Sequence, residues 1–149
     1  MEKQSKNSQK INAIPLDVVI NLINNFNTIP PFDKEPMYDL NNHNVAVLKG
    51  LVDIPFASFY GKDKYETLEE KAAALFCLTI RGHKFGNGNK RTAVILLFVF
   101  LKENDKWIKI SWRKLYSISM KVASQVDMDY DKQIQELAEF FGKHIIDID

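Results

Sequence analysis

The sequence predicts an all-α domain, and three observations carry that reading. Apolar residues recur at helical spacing in separate stretches that begin at Leu16, Val45, Leu115 and Ile134. Thr67-Leu68-Glu69-Glu70 forms a capping box ahead of an alanine-rich run. The segment Ala93 to Leu101 is apolar on every side, which in a soluble protein means a buried central helix or a buried strand.

Residues 1–12 are polar and rich in Ser, Asn, Gln and Lys, and read as a flexible tail, with order beginning near Pro15. Pro15 suits a first helical turn, and Leu16, Val19, Ile20 and Ile23 share one face behind it. Thr28 to Pro36 breaks that helix, because Pro30, Pro31 and Pro36 remove backbone donors. Val45, Leu48, Leu51 and Val52 mark a second helix that ends near Pro55. Between Pro55 and Tyr65, aromatic residues flank Gly61-Lys62-Asp63, as in a hairpin or flap. The capping box then starts a helix through Arg81, with Gly82 placed to end it in a left-handed cap. From Lys90 to Lys102 the run is too long for an ordinary buried strand, and Glu103-Asn104-Asp105 supplies a stop, so helix is preferred despite its β-branched content. Two amphipathic helices close the chain. One runs from about Ser111 to Val126 with Leu115, Ile118, Met120 and Val122 inward, the other from about Asp131 to Ile146 with Ile134, Leu137, Phe140 and Phe141 inward.

The 149 residues suit one domain, assigned to 13–149, with 46% hydrophobic and 26% charged content. A net charge of +1 argues against a general nucleic-acid partner or an acidic membrane surface. The absence of an apolar signal core or spanning segment, and a lone Cys77, point to a reducing cytoplasmic location. Positive charge is concentrated locally: Lys71 to Lys102 contains Lys71, Arg81, Lys84, Lys90, Arg91 and Lys102 and no acid. Lys90 and Arg91 fall in the first turn of the buried helix, beside the positive end of its dipole, a placement that a bound anion accounts for. The Gly-rich turn before them lets backbone N–H groups converge on such an anion. Spacing excludes the Walker and dinucleotide patterns, which also require a preceding strand.

His83-Lys84-Phe85-Gly86-Asn87-Gly88-Asn89-Lys90-Arg91 resembles the Fic/Doc family signature, His-x-Phe-x-(Asp/Glu)-(Gly/Ala)-Asn-(Gly/Lys)-Arg. The resemblance extends from about Leu48 to Asn104 and includes Ile54-Pro55-Phe56-Ala57-Ser58-Phe59, which is similar to the family's flap. It implies a Fic-type helical bundle with a central motif-bearing helix-loop-helix and a small β-hairpin flap. It also implies transfer of AMP, or another phosphate moiety, from ATP with Mg²⁺ to a hydroxyl side chain of a target protein. In the Doc-type branch the reaction is phosphorylation by a toxin held by a partner antitoxin. Carried onto this chain, His83 is the general base. Gly86, Gly88, Asn89, Lys90 and Arg91 form the anion hole, Phe85 anchors the loop in the core, and Pro55, Phe56, Ala57, Ser58 and Phe59 dock the target by β-augmentation.

Two positions depart from the signature. Asn87 stands at the Mg²⁺-binding acid and offers only a neutral amide oxygen, which weakens metal binding and opens the reading of a nucleotide-binding, catalytically impaired member. Lys90 replaces the glycine of the AMP-transferring majority, and Val94 stands where many of those members carry a second arginine, so both lean towards the Doc-type branch. The family's self-inhibitory pattern is absent from this sequence, and restraint would come from another protein or from homo-oligomerisation. His43 reads as a surface residue at a helix start, His144 as a helix C-terminal residue, and Cys77 as a buried inert thiol. Trp107 and Trp112 read as packing residues, with Trp107 able to border a pocket.

Overall fold

A computed structural model describes residues 10–28 and 36–148. Of the polar tail expected at 1–12, residues 1–9 lie outside the described residues, as does the stretch 29–35. Among the described residues there are six α-helices: α1 (Leu16–Thr28), α2 (Asn42–Leu51), α3 (Leu68–Gly82), α4 (Asn89–Glu103), α5 (Trp112–Ser124) and α6 (Tyr130–Gly142). Between α2 and α3 lie a 3₁₀ turn, Ile54–Phe56, and the strands β1 (Ser58–Phe59) and β2 (Lys62–Asp63). This bears out the all-α fold with a small hairpin. No helix among the described residues is long and apolar enough to cross a membrane.

The centre of the bundle is the pair α3 and α4, and the sequence accounts for both. Thr67 Oγ1 accepts from the Glu70 N–H at 3.1 Å while Glu70 Oε1 accepts from the Thr67 N–H at 3.1 Å, so α3 begins with its orphan donors satisfied. Ala72, Ala73, Ala74, Leu75, Phe76 and Cys77 are fully buried, and the small alanines admit the neighbouring helices closely. Ala93, Leu96, Leu97, Phe100 and Leu101 of α4 are likewise fully buried, which settles the ambiguous apolar run as helix. Helix α6 packs on α3, with Phe141 edge-to-face on Phe76 at 5.6 Å. Helix α1 lies on α4, and α5 contacts both central helices. Asn12 is tied to the end of α4, its side chain donating to Glu103 O at 2.9 Å and its N–H to Asn104 Oδ1 at 2.6 Å, so ordered chain begins before Pro15.

The structure departs from the sequence reading at the end of the chain. Helix α6 stops at Gly142, and Ile145–Asp147 forms β4, which pairs antiparallel with β3 (Lys106–Ile108). Ile145 continues the helical spacing of Phe141, which is why the expected helix ran on, but Gly142 interrupts it and Ile145 faces Ile108 across the ladder instead. His144 caps the helix end, its Nδ1 donating to Phe140 O at 2.9 Å. Met120 is 53% exposed rather than inward, and the buried stripe of α5 runs through Leu115, Ser119 and Val122.

Candidate active site

The motif loop joins α3 to α4, so its two ends are fixed by the most deeply buried elements of the fold. The left-handed residue at the end of α3 is His83 (φ 48°, ψ 49°), not Gly82, which remains helical. A β-carbon in that region stores strain, of order 1–3 kcal/mol, and such strain collects at functional sites. Here it falls on an exposed histidine at the start of the loop.

The loop is held from inside by two residues. Phe85 is buried and stacks on Tyr38 with ring centroids 4.0 Å apart and an interplanar angle of 3°, which agrees with its expected anchoring role. Asn89 is also buried, and its side chain faces the loop: Oδ1 accepts from the Phe85 N–H at 3.0 Å, and Nδ2 donates to Phe85 O at 3.2 Å. The same Nδ2 lies 3.1 Å from His83 Nδ1. Since Oδ1 is committed to a backbone donor, Nδ2 is the donor and His83 Nδ1 the acceptor, which leaves the proton of the neutral ring on Nε2. Any contribution of Asn89 to an anion hole therefore comes from its backbone N–H.

Gly88 then turns the chain into α4 at φ 87°. A Cβ there would lie 3.0 Å from Met37 Cβ and 3.3 Å from Tyr38 Cδ2, so glycine is needed for space as well as for conformation. Gly86 has neither demand, with open space around its Cα. The N-terminus of α4 has no side-chain cap. Its hydrogen-bond ladder begins with Thr92 N–H donating to Gly88 O at 2.8 Å, after the amides of Asn89 and Lys90. His83, Gly86, Asn87, Gly88, Asn89, Lys90 and Arg91 all line one cleft of about 250 Å³, walled on the far side by Tyr116 and Ala123 of α5. Every expected base, anion-hole and metal position is thus gathered at one surface.

The basic cluster read from the sequence divides in three dimensions. Lys84 lies in the loop, and Lys90 and Arg91 in the first turn of α4. Arg81 instead clamps the turn before α6, donating to Val126 O at 2.9 Å and Met128 O at 2.8 Å and stacking over Tyr130 at 3.9 Å. Lys71 is 2% exposed beneath the flap, where Nζ donates to Tyr65 O at 2.5 Å, Pro55 O at 3.2 Å and Asp63 Oδ2 at 3.3 Å. The flap residues divide too. Pro55 is buried and Phe56 packs edge-on against Phe100 of α4, whereas Ser58 and Phe59 are exposed and pair only with Lys62 and Asp63. Tyr60 and Gly61 close the hairpin with positive φ at both positions, the two-residue turn that matches strand twist.

Sequence reasoning missed Tyr116, Tyr38 and the burial of Lys71. Only the last left a local signal: Lys71, Ala74, Leu75 and Leu78 stand at i, i+3, i+4 and i+7, which puts a lysine on an apolar stripe. Trp107 does border a pocket, an apolar groove of about 420 Å³ between α1 and α4 where it stacks on Phe98 at 4.9 Å, and Trp112 lines the same groove.

A helix-loop-helix that aims a strained histidine at an uncapped, cation-bearing helix N-terminus defines a class of proteins, and likeness to known proteins agrees with it. The description of the Fic/DOC family matches residues 23–101, and this chain belongs to that family. Its members are typically transferases that use ATP. The chain is also 34% identical over 104 residues to Toxin Doc of Mycolicibacterium smegmatis (strain ATCC 700084 / mc(2)155), a match covering 68% of this chain and 79% of that protein. No solved structure matches.

Proposed function

We propose that this chain is a Doc-type phosphotransferase, a cytoplasmic toxin that moves the terminal phosphate of ATP to a hydroxyl side chain of a target protein and is restrained by a separate antitoxin. The observation that carries this reading is the shared cleft, in which the His83 imidazole opens onto the same space as the α4 N-terminus with Lys90 and Arg91. Phosphoryl transfer needs positioning and charge neutralisation more than covalent chemistry, and this arrangement supplies both.

In the proposed step, the target oxygen forms a bond to the γ-phosphorus, the bond from that phosphorus to the β,γ-bridging oxygen breaks, and ADP leaves. The hydroxyl proton passes to His83 Nε2. That nitrogen carries the ring proton while Asn89 holds Nδ1, so acceptance follows a shift of the ring proton to Nδ1, at the loss of one hydrogen bond of about 1 kcal/mol. The amides of Asn89 and Lys90, with the Lys90 and Arg91 cations, take the negative charge of the phosphate. Tyr116, across the cleft, offers a ring against which the nucleobase can lie. The exposed edge of Ser58 and Phe59 receives the target segment by strand addition.

Val94 bears on which phosphate is transferred. It is 1% exposed, so the next turn of α4 turns core, not cation, towards its neighbours and adds nothing for a longer phosphate chain. This, Lys90 and the likeness to Toxin Doc favour phosphate over AMP transfer. Mg²⁺ would reach the site on ATP. The cleft offers it one neutral oxygen, from exposed Asn87, and no carboxylate lines it among the described residues, a poor fit for a dedicated magnesium site. Neutralisation therefore falls to Lys90, Arg91 and the helix.

Incubating the chain with host lysate and ATP labelled separately at the α and γ positions tests the proposal. Label should come from the γ position and vanish in His83→Ala, and Asn87→Asp should raise the metal-dependent rate several-fold by adding a charged oxygen ligand. Label from the α position would replace the reading with nucleotidyl transfer, and label from neither would leave a nucleotide-binding, impaired protein.

A further inference from the structure

We propose that Tyr38, which lies outside the motif, is a positioning residue that sets the phosphate-binding loop; the proposal rests on the phosphotransferase reading above. Tyr38 meets the loop at three separate points. Its ring stacks on Phe85 at 4.0 Å. Its Cδ2 stands over Gly88, 3.3 Å from where a Cβ would lie, beside Met37 Cβ at 3.0 Å. Its hydroxyl lies 2.8 Å from Thr92 Oγ1, which is itself 2.8 Å from Gly88 O.

The direction of these bonds can be assigned. Gly88 O can only accept, so the single Thr92 hydroxyl proton goes to it, and Thr92 Oγ1 accepts from the Tyr38 hydroxyl. The carbonyl of the residue that turns the chain into α4 is therefore oriented by a two-step relay starting at Tyr38. The relay has a rigid base: Met37 N–H donates to Asn27 Oδ1 at 2.8 Å, and Asn27 Nδ2 donates to Tyr38 O at 3.3 Å, which pins the segment to α1 from both sides. Gly88 is thus held between the Met37–Tyr38 segment, itself bonded to α1, and the first turn of α4, and the amides that follow it take their direction from that clamp. A small rotation of the Gly88 peptide would redirect them, and phosphoryl-transfer sites are sensitive to displacements of that size.

Tyr38→Phe tests this cleanly, because it keeps the stack on Phe85 and removes only the start of the relay. The full chain, Tyr38→Phe, Thr92→Val and the double variant are compared by amide hydrogen exchange and by calorimetric titration with ATP. Tyr38→Phe should speed exchange of the Thr92 amide, which donates to Gly88 O, and weaken ATP binding roughly fivefold, the size of one lost hydrogen bond, while α6 amides stay unchanged. The double variant should bind ATP no worse than Thr92→Val alone, since both changes cut one relay. Unchanged exchange in Tyr38→Phe, exchange that rises equally across the protein, or ATP losses that multiply in the double variant would each overturn the inference. If the unmodified chain bound no ATP, the phosphotransferase reading would fall, and the exchange comparison would still decide the role of Tyr38.

Discussion

His83, the proposed base, sits on a backbone conformation that residues other than glycine rarely adopt, and a single neighbour, Asn89, decides which of its nitrogens carries the proton of the neutral ring. With Nδ1 accepting from Asn89, the neutral ring in the free protein should be the Nε2–H tautomer. Nitrogen-15 NMR of the imidazole reads this directly, and a dominant Nδ1–H form would contradict the arrangement around Asn89. Much of this scale is legible in the sequence alone: His83, Lys90 and Arg91 lie close together along the chain, and cations in a first helical turn ask for an anion. The role of the Asn89 side chain is less so, because asparagine suits turns, caps and ligand contacts alike, and only its burial separates them. Tyr116 and Tyr38 are illegible there, since each reaches the loop from a distant segment and no local spacing marks it.

At the scale of elements, the flap is an ordered ledge because one buried lysine ties both of its ends to α3. Lys71→Met keeps the length of the side chain but strands the Pro55 and Tyr65 carbonyls. It should destabilise the protein by roughly 3 kcal/mol in urea unfolding and expose the hairpin to proteolysis near Tyr60. A loss below about 1 kcal/mol would show that water replaces the ammonium group easily. Helices are readable from their apolar period, and α3 also from its capping box; the caps at Asn41, which accepts from the Asn44 N–H at 2.8 Å, and at Asp129, which accepts from the Lys132 N–H at 3.0 Å, appear only in the structure. Strands β3 and β4 are not readable, since three-residue strands have no measurable period and their pairing joins distant parts of the chain.

Across the whole molecule, the buried weak acids set an upper pH limit. Burial pushes the Tyr38 hydroxyl up to about 12, against the opposing Arg91 charge. Burial likewise pushes the Cys77 thiol up to about 11, against the charge and hydrogen bonding of Arg81. Both pKa values are raised on folding, so the native state holds these protons more tightly. Its stability is full below the ordinary value of 9 for Cys77 and 10 for Tyr38 and falls as pH rises through about 11 and 12. Urea midpoints measured from pH 8 to 12 should therefore decline over that window, and Cys77→Ala with Tyr38→Phe should flatten the decline. An equal slope in the double variant would assign alkaline sensitivity to other groups.

The left-handed cap at position 83 also bears on how such a chain changes over generations. Glycine or asparagine fits that backbone at least as comfortably as histidine, so a replacement there ends the proposed reaction while leaving the bundle intact and the protein abundant. Folding asks little of the imidazole beyond the one bond it accepts from Asn89. The proposed reaction asks for the rest, and a lineage relieved of it would become a silent, well-folded copy in a single substitution.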